Sequence, residues 1–459
     1  MLLAPAVALL LLLGSLAESL ALHAAAPAVD LTTVFTSGEK DERGFAINSF
    51  RIPGFTVANT TLVVAAEARL YSYEDLSPHH LVVKRSTNNG QTWGPLQTVV
   101  SPSQFAGGTV GRHGDVFYDP TPVFDARRSQ IHLIFAYQAS RYIDWSTCTR
   151  LSNRTGPSTV GDYLGCSERN MSDPLGQQLF SVSSSDTGAT WSEPRNLSFA
   201  GRGPNWCGMS GAGGGSGIQL TRSGRLLVPG YHAGCGCRAV PKGVLGPSCM
   251  HSHVLIADTH SSAGPNWRMS KEFFPGSAEG SLAELPAAAN PGARAGRDRR
   301  ATTDERLIFV ARLERNQTHC VPSAAHCAGV AFSSNEGLSW GDEVDNGHLL
   351  DPRCKNTVAK MTTSRGRQLL VHSGSASAQV GPRVNITCLF SEDGKAWTDP
   401  IAVLPSTDAA GHSQIGGYSA VQGLPGSTHA GVVLEAQLPP AYHLDIFFTV
   451  VAAPASTGA

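Results

Sequence analysis

The sequence is poor in charge and lacks sustained helical periodicity. Charged residues make up 15% of the 459 positions, and 35 Lys and Arg nearly cancel 36 Asp and Glu. That balance argues against a nucleic-acid partner or a polybasic membrane-binding surface. Apolar residues hardly ever recur at helical spacing over about ten positions, which argues against a helical fold. The 49 glycines and 28 prolines instead favour a β protein with many turns.

Long apolar runs are also scarce. The N-terminal run MLLAPAVALLLLLGSLAESLALHAAA is the exception, and we interpret residues 1–24 as a signal peptide with an approximate cleavage site. Because no Lys or Arg precedes this run, a short signal anchor is the alternative. No later segment is long and apolar enough to span a bilayer. The C-terminal LDIFFTVVAAPA is expected to form the last strand.

Cysteines and glycosylation sequons agree with export. The ten cysteines are an even number, as a set of disulfides needs, although their pairing cannot be deduced. Six N-x-S/T sequons occur, at Asn59, Asn153, Asn170, Asn196, Asn316 and Asn385. We therefore expect a protein of the secretory pathway, with a lysosomal, vacuolar or extracellular destination.

Short alternating apolar segments run through the chain and predict strands. Examples are LVVAAEARL, IHLIFAYQ, RLIFVARL and HLDIFFTVV, each of strand length and rich in Val, Ile, Leu and Phe. Several segments end in S-x-D/N-x-G-x-T/S-W. In such a turn the Asp or Asn side chain bonds backbone N–H groups, and Gly permits positive φ. The pattern ends at Trp93, Trp191 and Trp340, is stretched before Trp267 and is degenerate before Trp397. In the degenerate copy, Glu392 is assigned the Asp position.

The spacing of these turns predicts the architecture. Trp191 and Trp267 are 76 residues apart, and Trp267 and Trp340 are 73 apart. A repeat of this kind, with a hairpin in every copy, is typical of a β-propeller. Roughly 430 mature residues then give about six blades. We expect an all-β, six-bladed propeller over residues 30–459, with surface insertions near residues 141–178 and 287–305.

In this order the motifs resemble those of the sialidases (exo-α-neuraminidases) with Asp-box, or BNR, repeats, both bacterial and animal lysosomal. The resemblance covers about residues 45–450. It rests on FRIP, AEAR, the Asp boxes, GGGSGIQL, EGSLAEL, a strand ending in AR, PRVNIT, and GGYSAV followed by VVLEA. It implies an exo-α-sialidase, a glycoside hydrolase that removes terminal sialic acids from glycoproteins, oligosaccharides or gangliosides. It implies no cofactor and no metal.

The resemblance also implies an anion-binding triad. Arg51 in FRIP, Arg312 ending FVAR and Arg383 in PRVNIT correspond to the three arginines that bind the substrate carboxylate. A guanidinium group is always charged and matches a carboxylate bidentately. Glu435 in VVLEA corresponds to the carboxylate that holds the first arginine in place, and Arg69 to an arginine that contacts the substrate.

Three further residues correspond to the catalytic set. Tyr418 in GGYSAV corresponds to the nucleophile and Glu279 to its paired carboxylate, with Glu284 as the fallback. The fallback is kept because Arg312 lies 33 positions after Glu279, about twice the family spacing. In addition, Gly280 and Ser281 follow Glu279 where the family usually has Ser or Cys and then Gln. Asp75 corresponds to the acid/base, and its neighbour Glu74 is a competitor.

The chemistry of the substrate explains these residue types. A sialic acid carries an ionised carboxylate on its anomeric carbon, which would repel the carboxylate nucleophile of most retaining glycosidases. A tyrosine hydroxyl is neutral until attack, although a free pKa of about 10 means that it needs a partner base. The pattern therefore predicts retention of configuration through a tyrosyl–sialosyl intermediate, with Asp75 protonating the leaving oxygen.

Several alternatives stay open from the sequence. A trans-sialidase would need an acceptor platform, and a non-catalytic sialic-acid-binding propeller would not need the tyrosine–glutamate pair. GGGSGIQL is either a flexible loop or a wall of the site, and it lacks the GK[ST] of a phosphate-binding loop. His232, Cys235, Cys237, Cys249, His251 and His253 are ligand types that zinc prefers. In an oxidising compartment we interpret those cysteines as disulfide partners instead.

Overall fold

The computed structural model describes residues 30–144, 146, 149–150, 163–164, 167–168, 176–197, 206–234, 239–240, 244–245, 250–259, 264–286, 306–314, 320, 326–363, 365–377, 379–440 and 443–455. The expected signal peptide, most of the insertion near residues 141–178 and the insertion at residues 287–305 lie outside these ranges. The described residues fold into six antiparallel sheets of four or five strands, and two 3₁₀ turns are the helical elements among them. An all-β, six-bladed propeller is therefore confirmed.

The strands follow one another blade by blade. Blade 1 contains β2 (Ser49–Ala58), β3 (Thr61–Arg69), β4 (His79–Ser86) and β5 (Gln97–Val100). Blade 2 contains β6 (Val116–Asp125), β7 (Gln130–Gln138), β12 (Gln178–Ser184) and β13 (Arg195–Asn196). Blade 3 contains β14 (Trp206–Ala212), β15 (Ile218–Gln219), β16 (Leu226–Gly234), β19 (Met250–Asp258) and β20 (Asn266–Met269).

The second half of the chain repeats the arrangement. Blade 4 contains β21 (Ser277–Glu284), β22 (Leu307–Leu313), β23 (Cys327–Ser333) and β24 (Gly341–Leu350). Blade 5 contains β25 (Thr357–Thr362), β26 (Gln368–Ser375), β27 (Ile386–Ser391) and β28 (Ile401–Leu404). Blade 6 contains β29 (Ile415–Gly423), β30 (His429–Gln437), β31 (Leu444–Ala452) and, from the N-terminus, β1 (Thr32–Phe35).

Short elements complete the inventory of described strands and turns. Three small ribbons pair β8 (Ile143–Asp144) with β11 (Ser167–Glu168), β9 (Thr149–Arg150) with β10 (Tyr163–Leu164), and β17 (Ala239–Val240) with β18 (Val244–Leu245). The 3₁₀ turns are Pro102–Gln104 and Ser140–Tyr142.

The hydrophobic core is divided among the interfaces between neighbouring blades and does not form a single central core. Each of six buried clusters fills the interface of two neighbouring blades, and the last of them joins blade 6 to blade 1 through Phe35, Phe50 and Phe448. Strand β1 pairs antiparallel with β31, so the N-terminal segment closes the ring. Closure leaves the six innermost strands side by side around one axis, and these strands carry the candidate site.

The repeated turns close the outer hairpins by one hydrogen-bond scheme. In blade 2, Ser184 Oγ accepts from the Gly188 N–H at 2.7 Å, and Asp186 Oδ1 accepts from the Thr190 N–H at 2.9 Å. Asn335 makes the corresponding contact in blade 4, with the Ser339 N–H at 3.0 Å. The sequence assignment of Glu392 in blade 5 is wrong. Asp393 accepts from the Ala396 N–H at 2.9 Å, because this copy is one residue shorter between Asp and Gly.

One disulfide is formed among the described residues. Cys320 and Cys327 form a disulfide, whereas Cys354 and Cys388 are buried thiols. The expected pairing of Cys235, Cys237 and Cys249 lies outside the described residues. Within the described ranges we find no helix that combines the length and apolarity of a membrane span.

Candidate active site

Four of the innermost strands, β2, β6, β21 and β29, share an irregularity at one end of the propeller. Register shifts occur between residues 51 and 54 in β2, 118 and 121 in β6, 277 and 280 in β21, and 416 and 419 in β29. A β-bulge re-aims the side chains beside it and is frequent next to active sites. Here the bulges contain Asp119, Glu279 and Tyr418 and directly follow Arg51. Irregular pairing at matched positions of different blades thus gathers side chains at one end of the axis.

Tyr418 and Glu279 form a buried hydrogen-bonded pair at this end. The Tyr418 hydroxyl donates to Glu279 Oε1 at 2.6 Å, and Arg312 Nη1 donates to both the Tyr418 oxygen (2.8 Å) and Glu279 Oε2 (2.7 Å). Burial and the negative charge of Glu279 raise the pKa of Tyr418 well above its usual value, against the lowering effect of Arg312 and Arg383. The resting group is therefore a phenol whose proton already points at a carboxylate.

Glu435 organises the neighbouring backbone and Arg51. Its carboxylate accepts from Arg51 Nη2 (2.9 Å) and Nε (3.2 Å), and from the backbone N–H groups of Ile52 (3.1 Å) and Tyr418 (3.0 Å). Glu435 is 1% exposed. Desolvation opposes its ionisation, but Arg51 and the donated hydrogen bonds outweigh it and lower the pKa of Glu435 to about 2. A permanent carboxylate therefore fixes the strand that carries the tyrosine and the guanidinium beside it.

Two backbone positions show what this arrangement requires. Ile52 has a φ of 52°, a conformation that β-branched residues rarely adopt, and this turns its N–H towards Glu435. A Cβ on Gly417 would lie 2.2 Å from Glu435 Oε1. Glycine is therefore needed immediately before Tyr418, because any side chain would displace the carboxylate.

The remaining predicted residues border the same space. Arg383 Cζ lies 4.9 Å and Arg51 Cζ 5.4 Å from the centre of the Tyr418 ring. The exposed carboxylate of Asp75, in the loop between β3 and β4, contacts Arg69 Nη1 at 2.9 Å and Arg51 Nη1 at 3.4 Å. The positive charges of Arg69 and Arg51 outweigh desolvation and hold the pKa of Asp75 well below its usual value. Asp75 is thus ionised in the ligand-free protein.

The alternatives from the sequence lie elsewhere. Glu284 is at the opposite end of β21, where it contacts Lys360 and accepts from the Thr221 N–H at 2.7 Å. At that same end the Leu285 N–H donates to the Arg306 carbonyl at 2.8 Å, so the residues that flank positions 287–305 in the sequence are still paired. The insertion therefore lengthens the chain between Glu279 and Arg312 without altering the pairing of β21 with β22. Among the described residues, no group of three His, Cys, Asp or Glu has the geometry of a metal site.

Sequence reasoning missed four buried residues around the site. Glu67 holds Arg69 through two contacts, at 2.6 and 3.0 Å, and accepts from the Asp119 N–H at 3.0 Å. Asp119 accepts from the Tyr231 hydroxyl at 2.6 Å, and desolvation followed by the charges of Glu279 and Glu67 raises the pKa of Asp119 well above its usual value. The fourth is Lys355, whose side chain is fully buried. A signal existed for Glu67, which lies two residues before Arg69 and so on the same strand face.

Comparison with known proteins adds to this geometry. Residues 60–423 match the family described as BNR repeat-like domain. An exo-alpha-sialidase of the fungus Aspergillus fumigatus is 25% identical over 393 residues, which are 84% of this chain and 78% of the fungal protein. Sialidase-3 of Homo sapiens is 29% identical over 200 residues, which are 42% of this chain and 38% of the human protein.

Solved structures show the same architecture. The Hadza microbial sialidase Hz136 superposes with a TM-score of 0.65 at 20% identity, covering 92% of this chain and 68% of that one. The sialidase of Trypanosoma rangeli, solved with 2,3-difluorosialic acid as a covalent intermediate, has a TM-score of 0.61 at 15% identity and covers 92% and 58%. At these identities the likeness shows the fold.

Proposed function

The chain belongs to the BNR-repeat sialidases, a family of glycoside hydrolases, and from this premise we propose that it is an exo-α-sialidase acting through a tyrosine nucleophile. The substrates would be glycoproteins, oligosaccharides or gangliosides with terminal α-linked sialic acid. The observation that carries the proposal is the Tyr418 hydroxyl, which donates to Glu279 at 2.6 Å and accepts from Arg312 at 2.8 Å. A protein that only bound sialic acid would have no need of this proton-transfer pair.

Binding of the substrate carboxylate is assigned to Arg51, Arg312 and Arg383. All three guanidinium groups approach Tyr418, and Arg51 still has Nη1 directed towards the open side, where it meets the exposed Asp75 carboxylate. Fixed guanidinium groups in a partly desolvated site bind a carboxylate more strongly than they would in water. The substrate carboxylate would therefore anchor the anomeric carbon beside the tyrosine oxygen.

The first chemical step forms the covalent intermediate. The Tyr418 oxygen attacks the anomeric carbon and gives its proton to Glu279, while the bond to the aglycone breaks and Asp75 supplies a proton to the leaving oxygen. In the second step water gives a proton to Asp75 and attacks the anomeric carbon. The tyrosyl bond breaks and Glu279 returns the proton, so that two displacements retain the configuration.

Asp75 must change partners before it can act as an acid. In the free protein it is ionised by its contacts with Arg69 and Arg51. A substrate carboxylate on Arg51 would compete for that guanidinium group and bring a second negative charge near Asp75, and both effects raise the pKa of Asp75. Because kcat/KM reports the free enzyme, whose Asp75 has a lowered pKa, kcat/KM should decline with rising pH from the acidic end.

Export along the secretory pathway is part of the proposal. It rests on the N-terminal apolar run, the six sequons and the Cys320–Cys327 disulfide, which needs an oxidising compartment to persist. Treating the secreted or lysosomal protein with an N-glycosidase and following its mass would test this part separately from the activity.

The test of the activity is hydrolysis of a fluorogenic α-sialoside, with the released sugar followed by proton NMR. The proposal expects the α-anomer first, before mutarotation. Initial release of the β-anomer would overturn the tyrosine nucleophile, and tight sialoside binding without turnover would overturn the enzyme assignment. A parallel reaction with excess lactose distinguishes hydrolysis from transfer, because a trans-sialidase would form sialyllactose in preference to free sialic acid.

A further inference from the structure

Lys355 is buried beside the candidate nucleophile Tyr418, and no step of the proposed reaction uses it. It belongs to the segment between β24 and β25, and its side chain is fully buried. Lys355 Nζ is 5.2 Å from the centre of the Tyr418 ring and donates to the Pro53 carbonyl at 3.0 Å. A buried ammonium group is costly and persists only where its surroundings compensate it.

The compensation comes from the carboxylates of the site itself. Desolvation lowers the pKa of Lys355, while the nearby carboxyl groups of Glu279, Asp119 and Glu435 raise it in part. All three carboxylates face the axis from different blades. Lys355 therefore balances the acidic side chains around Tyr418 from a fully buried position.

The glycine run in GGGSGIQL makes room for this lysine. Gly214 has a φ of +61°, and a Cβ there would lie 3.1 Å from Lys355 Nζ, 3.2 Å from Lys355 Cδ and 3.3 Å from Ile52 Cγ2. Here the run packs against the turn that follows Arg51. The lack of a side chain at Gly214 is thus explained by the lysine and the isoleucine beside it.

We propose that Lys355 is a positioning residue for the reaction assigned to Tyr418. Its ammonium group stabilises the negative charge that the tyrosine oxygen carries when Glu279 holds the proton, both during attack and when the tyrosine leaves in the second displacement. Its hydrogen bond to Pro53 also holds the strained Ile52 turn, and with it Arg51. The inference rests on the proposed sialidase activity but concerns a residue that touches no substrate.

The mechanism fixes the expected kinetic signature. Charge on the tyrosine oxygen is greatest in the transition states, so the loss of Lys355 should lower kcat more than it raises KM. Removing one preorganised electrostatic stabiliser typically costs about 10²-fold in kcat or more. Lys355 lies further from the reacting oxygen than a direct donor, so we expect about 10- to 100-fold for Lys355→Met, with KM changed less than about threefold.

The experiment compares Lys355→Met with Lys360→Met, which changes a lysine of the following strand β25 that contacts Glu284 at the far end of β21. Three assays are used: steady-state kinetics on a fluorogenic sialoside for kcat and KM, calorimetric affinity for an unsaturated sialic acid analogue, and rates of labelling and reactivation with 2,3-difluorosialic acid. We expect Lys355→Met to slow labelling and reactivation while analogue affinity is retained. Lys360→Met should match the wild type in all three.

A second variant tests the same idea without changing the charge. Gly214→Ala would place a Cβ 3.1 Å from Lys355 Nζ and so should displace the ammonium group and lower kcat. The effects of Gly214→Ala and Lys355→Met should be much less than additive. Because this variant keeps the lysine, it remains informative if Lys355→Met does not fold.

The outcomes separate the inference from the function on which it rests. Wild-type kcat in Lys355→Met, a parallel loss of analogue affinity, or additive effects with Gly214→Ala would each overturn the positioning role and leave the sialidase proposal intact. A wild-type protein that hydrolyses no sialoside would instead overturn the proposed function.

Discussion

The outer turns of the blades and the bulged inner ends of the strands follow opposite rules. In the outer turns, neighbours in sequence satisfy each other: Ser184 Oγ donates to Asp186 Oδ1 and accepts from the Gly188 N–H. At the inner ends, Glu435 bonds Arg51 from 384 positions away and Glu279 bonds Tyr418 from 139 positions away. The outer turn repeats from blade to blade because its hydrogen bonds join near neighbours in sequence. The cluster at the inner strand ends occurs once because its side chains come from several blades.

The difference separates the structural role of the outer turns from the chemical role proposed for the inner strand ends. A turn that closes on itself can be copied from blade to blade, with Asp186 replaced by Asn88 or Asn335 in other copies. A site built from charges cannot be copied, because each carboxylate needs a specific cation from another blade to offset its desolvation. Substitutions should therefore separate the two regions: axis variants should change chemistry, and rim variants should change stability alone.

The largest effect is expected for Tyr418→Phe. Loss of the hydroxyl removes the nucleophile, and kcat should fall about 10³-fold or more. The matched control is Tyr137→Phe, because the Tyr137 hydroxyl also donates to a carboxylate, Asp115 Oδ2 at 3.0 Å, outside the axial cluster. Steady-state kinetics on a fluorogenic sialoside checks both variants. Equal losses of kcat in the two variants would contradict the expected difference between the axial site and the periphery.

An intermediate effect is expected for Asp351→Asn, and it depends on pH. Burial raises the pKa of Asp351 to about 7 from 3.8, against the lowering hydrogen bond from the Cys354 N–H. With a raised folded-state pKa, the contribution of this carboxyl to stability is full below about pH 4 and declines as pH rises towards 7. Because asparagine does not ionise, the stability of Asp351→Asn should not show this decline.

Urea unfolding of wild type and Asp351→Asn at pH 4, 5.5 and 7 measures the difference. The stability of the variant relative to wild type should rise by about 2–4 kcal/mol between pH 4 and pH 7. A constant difference at all three pH values would show that Asp351 ionises normally and that its surroundings are more polar than its burial indicates.

The smallest effect is expected at the rim. Asp186→Ala removes four hydrogen bonds of the blade 2 turn and should lower the free energy of unfolding by about 1 kcal/mol, with kcat/KM unchanged. Asp186→Asn is the control, since asparagine fills this position in two other blades, and it should be close to neutral. Thermal unfolding and sialoside kinetics provide the two readouts. A loss of activity in Asp186→Ala would mean that the rim and the axis are coupled.

Local patterns were enough to predict the elements of the fold. Alternating segments such as IHLIFAYQ and RLIFVARL became β7 and β22, and the turn spacing predicted six blades, because strand alternation and turn chemistry act over a few residues. The misassigned Glu392 shows the limit, since a one-residue deletion within the turn shifted the side chain that closes it. Motif order brought forward Arg51, Glu279, Arg312, Tyr418 and Glu435, but not Glu67, Asp119, Tyr231 or Lys355.

By itself the sequence determined the all-β class, the blade period, the self-bonded turns and the residue types available for chemistry, because these properties depend on near neighbours along the chain. Only the tertiary structure decided which of those residues meet. Bulges at matched ends of separate strands turned Glu279 and Tyr418 towards one axis, and ring closure placed Lys355 Nζ 5.2 Å from the centre of the phenol ring. Contacts between distant blades depend on the closed ring, and no local pattern encodes which buried cation will face which carboxylate.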